Sequence, residues 1–152
     1  MSDTETNALE ILLVEDNPQD LELALRALKK ANVSSHIQVA RDGVEALEFV
    51  FCEGAYASRK IEQVPRVILL DLKLPKLDGL EVLKRLKSDP RTRVIPVVIL
   101  TSSKEQRDVV ESYHLGVNSY IVKPVDFEGF SKAVGNLGFY WLLLNQSHRQ
   151  GK

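Results

Sequence analysis

The stretch ILLVED, residues 11–16, sets four apolar residues directly against two carboxylates. An unbroken apolar run, without the alternation of a half-exposed strand, suits a strand covered on both faces. Two adjacent charges cannot follow such a strand inward, so the chain must reach an edge at Glu15. Asn17-Pro18 comes next, a capping side chain followed by a residue suited to the first turn of a helix. Leu21, Ala24, Leu25 and Leu28 then recur at helical spacing.

The same alternation repeats along the chain. His36-Ile37-Gln38-Val39 alternates like a strand. Asp42-Gly43 opens a helix with Val44, Leu47, Val50 and Phe51 on one side. Val67–Leu70 is a second apolar run and ends at Asp71. Asp78 caps a helix bearing Leu80, Leu83 and Leu86. Pro96–Leu100 is a third run and ends at Thr101. Ser103 and Gln106 then read as a capping box for a helix that stops near Gly116. Ser119–Val122 is a last short strand before Lys123-Pro124, and a final helix extends from about Asp126 to about Asn145. Strand and helix alternate five times, which predicts an α/β fold with a parallel sheet and helices on both faces. Residues 53–66 form a longer connection, expected as a surface excursion. Residues 1–8 and 146–152 are expected to be loose ends around one domain over 9–145.

Composition narrows the function. The 152 residues are 44% apolar and 27% charged with a net charge of −1, an ordinary globular mixture. No basic block points to nucleic acid or to an anionic membrane surface. The polar, acidic start MSDTETNALE does not read as a signal peptide, and no apolar run approaches the roughly 20 residues that span a bilayer. One cysteine, Cys52, permits neither an internal disulfide nor a cysteine metal cluster. A soluble cytoplasmic protein is the expectation.

In an open parallel sheet, ligands gather beyond the carboxyl ends of the strands. The first strand delivers Glu15 and Asp16 to that edge, the third Asp71, the fourth Thr101 with Ser102 and Ser103, and the fifth Lys123. Three carboxylates at one cleft repel one another, and a divalent cation relieves that repulsion. Hard oxygen ligands without histidine suit Mg²⁺, with Mn²⁺ as a substitute, rather than zinc or copper. Mg²⁺ favours phosphate oxygens, so the chemistry suggested is phosphoryl transfer. Asp71 is the best candidate nucleophile, able to form an aspartyl phosphate. Lys123 would neutralise a phosphoryl oxygen and the Thr101 hydroxyl would hydrogen-bond another. Pro124 makes the bond after Lys123 a candidate cis peptide that would aim the lysine inward.

With these residues in place, the chain resembles the receiver domains of two-component response regulators over nearly its whole length. The family's acidic pair falls on Glu15 and Asp16, its phosphoacceptor on Asp71 followed by Pro75 and Asp78-Gly79, its switch Thr on Thr101 and its Lys-Pro on Lys123-Pro124. Its switch aromatic falls on Tyr120, and its metal-binding backbone carbonyl on Lys73. The chain is similar in particular to stand-alone receivers that work with bacterial and cyanobacterial phytochrome histidine kinases. ILLVEDNPQD, the RDGVEAL helix, the long connection before the third strand and the FYWLLLN run carry that likeness. The resemblance implies a flavodoxin-like doubly wound (βα)5 fold with strand order 2-1-3-4-5. It also implies transfer from a kinase histidine in a Mg²⁺-dependent reaction, slow self-dephosphorylation, and a downstream protein or phosphotransfer partner.

The last helix adds a further expectation. Phe127, Phe130, Val134, Leu137, Trp141 and Leu144 form one stripe that should dock on the sheet, while Phe139, Leu142 and Leu143 fall on the opposite side. A water-facing apolar cluster of that kind points to a homodimer through this helix. Two rival functions are weaker. A Mg²⁺-dependent aspartyl-phosphate phosphatase wants an aspartate two residues after the nucleophile, where Lys73 stands. An unphosphorylated receiver-like binding module would usually lack part of the set that is complete here. Neither a G-x-G-x-x-G nor a Walker loop is present to bind a nucleotide.

Overall fold

The computed structural model describes residues 10–31, 36–60 and 64–136. Five parallel strands lie in the order β2-β1-β3-β4-β5: β1 Glu10–Val14, β2 His36–Ala40, β3 Val67–Asp71, β4 Val97–Thr101 and β5 Ser119–Val122. Between and after them run α1 Pro18–Lys30, α2 Gly43–Phe51, α3 Gly79–Ser88, α4 Lys104–Glu111 and α5 Phe127–Asn136. The three central strands explain the unbroken apolar runs. In β1, Ile11 and Leu13 pack under α1 and α5, with Leu21, Leu28 and Phe130, while Leu12 and Val14 pack under α2, α3 and α4, with Val50, Leu83 and Val110. Both faces are covered, so the period-two alternation vanishes from the sequence. No helix among the described residues is long and apolar enough to cross a membrane.

Each helix begins at the carboxyl edge of the sheet with a side-chain cap. Asn17 Oδ1 accepts from the Asp20 N–H at 2.9 Å, Asp42 from Glu45 at 2.7 Å, Asp78 from Glu81 at 3.0 Å and Ser103 Oγ from Gln106 at 3.2 Å. Asp126 likewise accepts from the Gly129 N–H at 2.7 Å. The caps satisfy N–H groups that would otherwise be orphaned, and they gather the helix N-termini on the edge where the strands end.

Three local features differ from the sequence-based expectations. Val44 is exposed rather than packed, because the buried stripe of α2 starts at Gly43 and continues through Ala46, Leu47 and Val50. A Cβ on Gly43 would lie 1.9 Å from the Leu77 carbonyl oxygen, so the first packing position is one with no side chain to count. The fourth helix ends at Glu111, well short of Gly116. Its last turn tightens through bonds from the Tyr113 and His114 N–H groups to Val110 and Glu111, and His114 takes a left-handed φ of 52°. In the long connection, Tyr56 is part of the packing rather than of a loose excursion. Its ring meets Phe49 edge-on at 5.1 Å and its hydroxyl donates to Glu45 at 2.8 Å. Of the expected α5 stripe, Phe130 packs into the core with Phe127 half-buried beside it, joined by Ala133, while the side chain of Val134 and residues Leu137, Trp141 and Leu144 lie outside the described residues. Phe139, Leu142, Leu143 and the domain limit at 145 lie outside the described residues.

Candidate functional site

The carboxyl edge joins Glu15, Asp71 and Lys123 from three strand ends. Glu15 follows β1, and its N–H still pairs with the Ala40 carbonyl at 3.0 Å, which carries the side chain onto the buried edge with 1% exposure. Asp71 closes β3 in register with Leu100 and is 4% exposed. Gly79 lies against its backbone: a Cβ there would lie 2.2 Å from the Asp71 carbonyl oxygen. Lys123 follows β5, and its N–H bonds the Thr101 carbonyl at 2.8 Å. The Lys123–Pro124 peptide bond is cis.

The ammonium of Lys123 meets three carboxylates. It lies 3.2 Å from Glu15 Oε1, 3.2 Å from Asp71 Oδ1 and 3.0 Å from Asp20 Oδ2. The other Glu15 oxygen accepts from the Asn17 N–H at 3.2 Å. Oxygens of Glu15, Asp16 and Asp71 all lie within 4.8 Å of one another, with Asp16 exposed at the mouth. Burial, then the Asp71 charge, pushes the Glu15 carboxyl up to about 7, against the Asn17 N–H and Lys123. Burial also raises Asp71, opposed by the neighbouring ammonium. Burial alone would lower Lys123, but its bond to Asp20 and the charges of Asp71 and Glu15 raise it above the ordinary lysine value.

Four carboxylates, Glu15, Asp16, Asp20 and Asp71, share the site with one ammonium and leave an excess of negative charge, and the ligand atoms of the Glu15, Asp16 and Asp71 cluster are all hard oxygens. That donor set fits a divalent cation of the Mg²⁺ type. The elevated Glu15 reflects first its burial and second the neighbouring Asp71 charge.

The Thr101 side differs. Its hydroxyl donates to the Ser103 carbonyl at 2.7 Å, lies 3.2 Å from Gln106 Oε1 and accepts from the Ser103 N–H at 3.2 Å. The Ser102 N–H also donates to Gln106 Oε1, at 3.0 Å, and the Ser102 residue is exposed. Only half of the expected capping box forms, because the Gln106 side chain turns to Thr101 and Ser102 instead of the Ser103 N–H. Tyr120 is half-buried on β5 beneath the Arg107 guanidinium, 4.6 Å from the ring centre. Lys73 is exposed in the loop behind Asp71.

Asp20, Asn17 and Gln106 are site neighbours that the sequence did not single out for this role. The available signal was positional. Asp20 is an acid in the first turn of a helix whose N-terminus faces the cleft.

A doubly wound parallel sheet with acidic groups and a lysine at its carboxyl edge defines a receiver-type α/β domain. The chain belongs to the response regulator receiver domain family, whose description matches residues 11–135. It is 39% identical to the response regulator Rcp1 of Synechocystis sp. over 142 residues, 93% of this chain and 95% of Rcp1. The solved bacteriophytochrome response regulator AtBRR superposes with a TM-score of 0.82 at 54% identity, covering 91% of this chain and 98% of AtBRR. The phosphorylated cyanobacterial phytochrome response regulator RcpA superposes at 0.72 with 41% identity, covering 88% and 94%. A structure of Rcp1 is described as its Mn²⁺-bound form.

Proposed function

We propose that this protein accepts a phosphoryl group on Asp71 from a histidine of a sensor kinase, in a Mg²⁺-dependent reaction, and signals through the surface that this changes. The observation that carries the reading is the Lys123 ammonium, 3.2 Å from both Glu15 and Asp71 and beside the three-carboxylate cluster. Glu15, Asp16 and Asp71 would hold the cation, with the Lys73 backbone carbonyl as a further ligand. The cation, Mg²⁺ or Mn²⁺, supplies positive charge that offsets the crowded carboxylates and the incoming phosphoryl oxygens. One Asp71 oxygen attacks phosphorus and forms the new O–P bond. The N–P bond of the donor breaks, and its electron pair returns to the histidine nitrogen. Lys123 neutralises a phosphoryl oxygen, and the hydroxyl of Thr101 and the exposed Ser102 receive the others. Thr101 leaves its local bonds to do so, and Tyr120 turns into the space behind it. The two arrangements then differ in population because the phosphoryl group binds one of them better.

The bacteriophytochrome and cyanobacterial phytochrome relatives support a kinase of the phytochrome type. A lysine at position 73, where phosphatase chemistry wants an acid, supports a signalling protein over a phosphatase. Homodimerisation through the C-terminal helix, with Phe139, Leu142 and Leu143 at the contact, and a cytoplasmic location belong to the same reading. Incubation with Mg²⁺ and acetyl phosphate should add the mass of one phosphoryl group to the intact protein. Asp71→Asn should gain none while keeping its fold. Equal labelling of that variant would overturn the assignment.

A further inference from the structure

We propose that Asp20 is a positioning residue for phosphoryl transfer, holding the Lys123 ammonium over Asp71 when the other two carboxylates are engaged elsewhere. The proposal rests on Asp71 being the phosphoacceptor. An ammonium has three donors, and Lys123 has three carboxylate partners, of which Asp20 at 3.0 Å is the nearest. Glu15 and Asp71 also belong to the metal-type cluster, and Asp20 does not. Whatever enters that cluster competes with Lys123 for Glu15 and for Asp71. Asp20 is then the carboxylate left to the lysine alone.

The need for such a partner follows from the side chain. Lysine is a compact charge on a flexible four-carbon stem, so its acceptors set where the charge sits. Asp20 is itself well fixed. Its N–H is held by Asn17 Oδ1 at 2.9 Å, and the helix carrying it is anchored by buried Leu21, Ala24 and Leu28. The same turn presents the Asn17 N–H to Glu15, so the start of α1 braces two members of the site. A first-turn acid also interacts favourably with the helix dipole. That stabilising role does not pass through Lys123, and the difference can be measured.

The first measurement uses the protein with Mg²⁺ and no phosphoryl donor, the state in which Glu15 and Asp71 are drawn to the cation. Lys123 in Asp20→Asn should react several-fold faster with acetic anhydride than in the wild type, scored by peptide mass, while lysines elsewhere keep their rates. The second follows labelling by acetyl phosphate with Mg²⁺, a donor that needs no kinase docking. Asp20→Asn should label about tenfold more slowly, the scale of one charge-assisted hydrogen bond, and Asp20→Glu should recover most of the rate. In a Lys123→Gln background, Asp20→Asn should change the residual rate by less than about twofold, since the coupling partner is gone. Unchanged Lys123 reactivity in Asp20→Asn overturns the proposal, as does an equal loss of rate with or without Lys123. Failure of the phosphoacceptor reading looks different: wild type and Asp71→Asn would then label alike.

Discussion

The two sides of the cleft are built on opposite plans. Around Asp71, side chains from β1, α1, β3 and β5 depend on one another across long sequence separations, and Lys123 alone meets three carboxylates at 3.0–3.2 Å. Around Thr101, the hydrogen bonds of the hydroxyl are all made within five residues, to Ser103 and Gln106. The first side gathers buried carboxylates, and burial together with the Asp71 charge lifts the carboxyl of Glu15 to about 7. The second is finished on its own. On the proposed reading, a cation or a phosphoryl group would meet one side that gains by accepting charge and another that must give up bonds to respond. Binding and switching would then fall, on that reading, to different strands of one sheet.

The strongest way to break the crowded side is to move its backbone. A Cβ at Gly79 would lie 2.2 Å from the Asp71 carbonyl oxygen and 2.7 Å from the Leu72 Cα, both main-chain atoms that cannot rotate away. Gly79→Ala should cost about 3 kcal/mol and weaken Mg²⁺ binding, because β3 must shift under Asp71. Urea unfolding and a Mg²⁺ titration would show it. An alanine variant with wild-type stability would mean that α3 does not press on β3 under Asp71.

A smaller change should sharpen the contrast by relieving the crowding. The Glu15 carboxyl rises from an ordinary 4.5 to about 7 on folding, so the native state binds a proton that the unfolded chain releases. The stability this group contributes is fully present below about pH 4.5 and is lost as pH rises through about 7. In chelator, the wild type should therefore lose stability relative to Glu15→Gln between those values. Above pH 7 the glutamine protein should be the more stable by about 1–3 kcal/mol, since an amide keeps one of the two accepting oxygens and removes the buried charge. Its affinity for Mg²⁺ should fall at the same time, which separates stability from function at one residue. Parallel stability curves for the two proteins from pH 5 to 8 would refute the crowding.

Most of the architecture could be read from the sequence because each buried strand announces itself twice, by an apolar run and by the polar residue that ends it. Glu15, Asp71 and Thr101 stand directly after such runs and Lys123 after the short edge strand β5, so the edge they share follows from topology. Asp20 was harder to see because its partner comes from the other end of the chain. Nothing in α1 says that its first turn leans toward Lys123 rather than toward water. Gln106 was half-read: a glutamine three residues after a cap suggests a reciprocal cap, and a hydroxyl on the preceding strand competed for it. Val44 was misassigned because a glycine, invisible to a hydrophobic count, holds the first packing position.

The smallest effects test whether the Thr101 side really holds itself back. Ser103 and Gln106 both contribute to the start of α4, yet only one of their side chains touches the Thr101 hydroxyl. Ser103 Oγ caps the Gln106 N–H, while its bonds to Thr101 come from its backbone. Ser103→Ala should thus cost about 1 kcal/mol of stability, seen in the urea midpoint, and leave Thr101 as tethered as before. Gln106→Ala removes the oxygen 3.2 Å from the Thr101 hydroxyl and 3.0 Å from the Ser102 nitrogen. Its stability cost should be similar or smaller, but its functional effect should differ in kind. The hydroxyl has less to give up on moving toward Asp71, so an acyl-phosphate mimic such as beryllofluoride should bind about threefold more tightly than to Ser103→Ala. Equal affinities in the two variants would mean that the side chain of Gln106 does not restrain Thr101, and that the local bonds to the Ser103 backbone alone set the resting position.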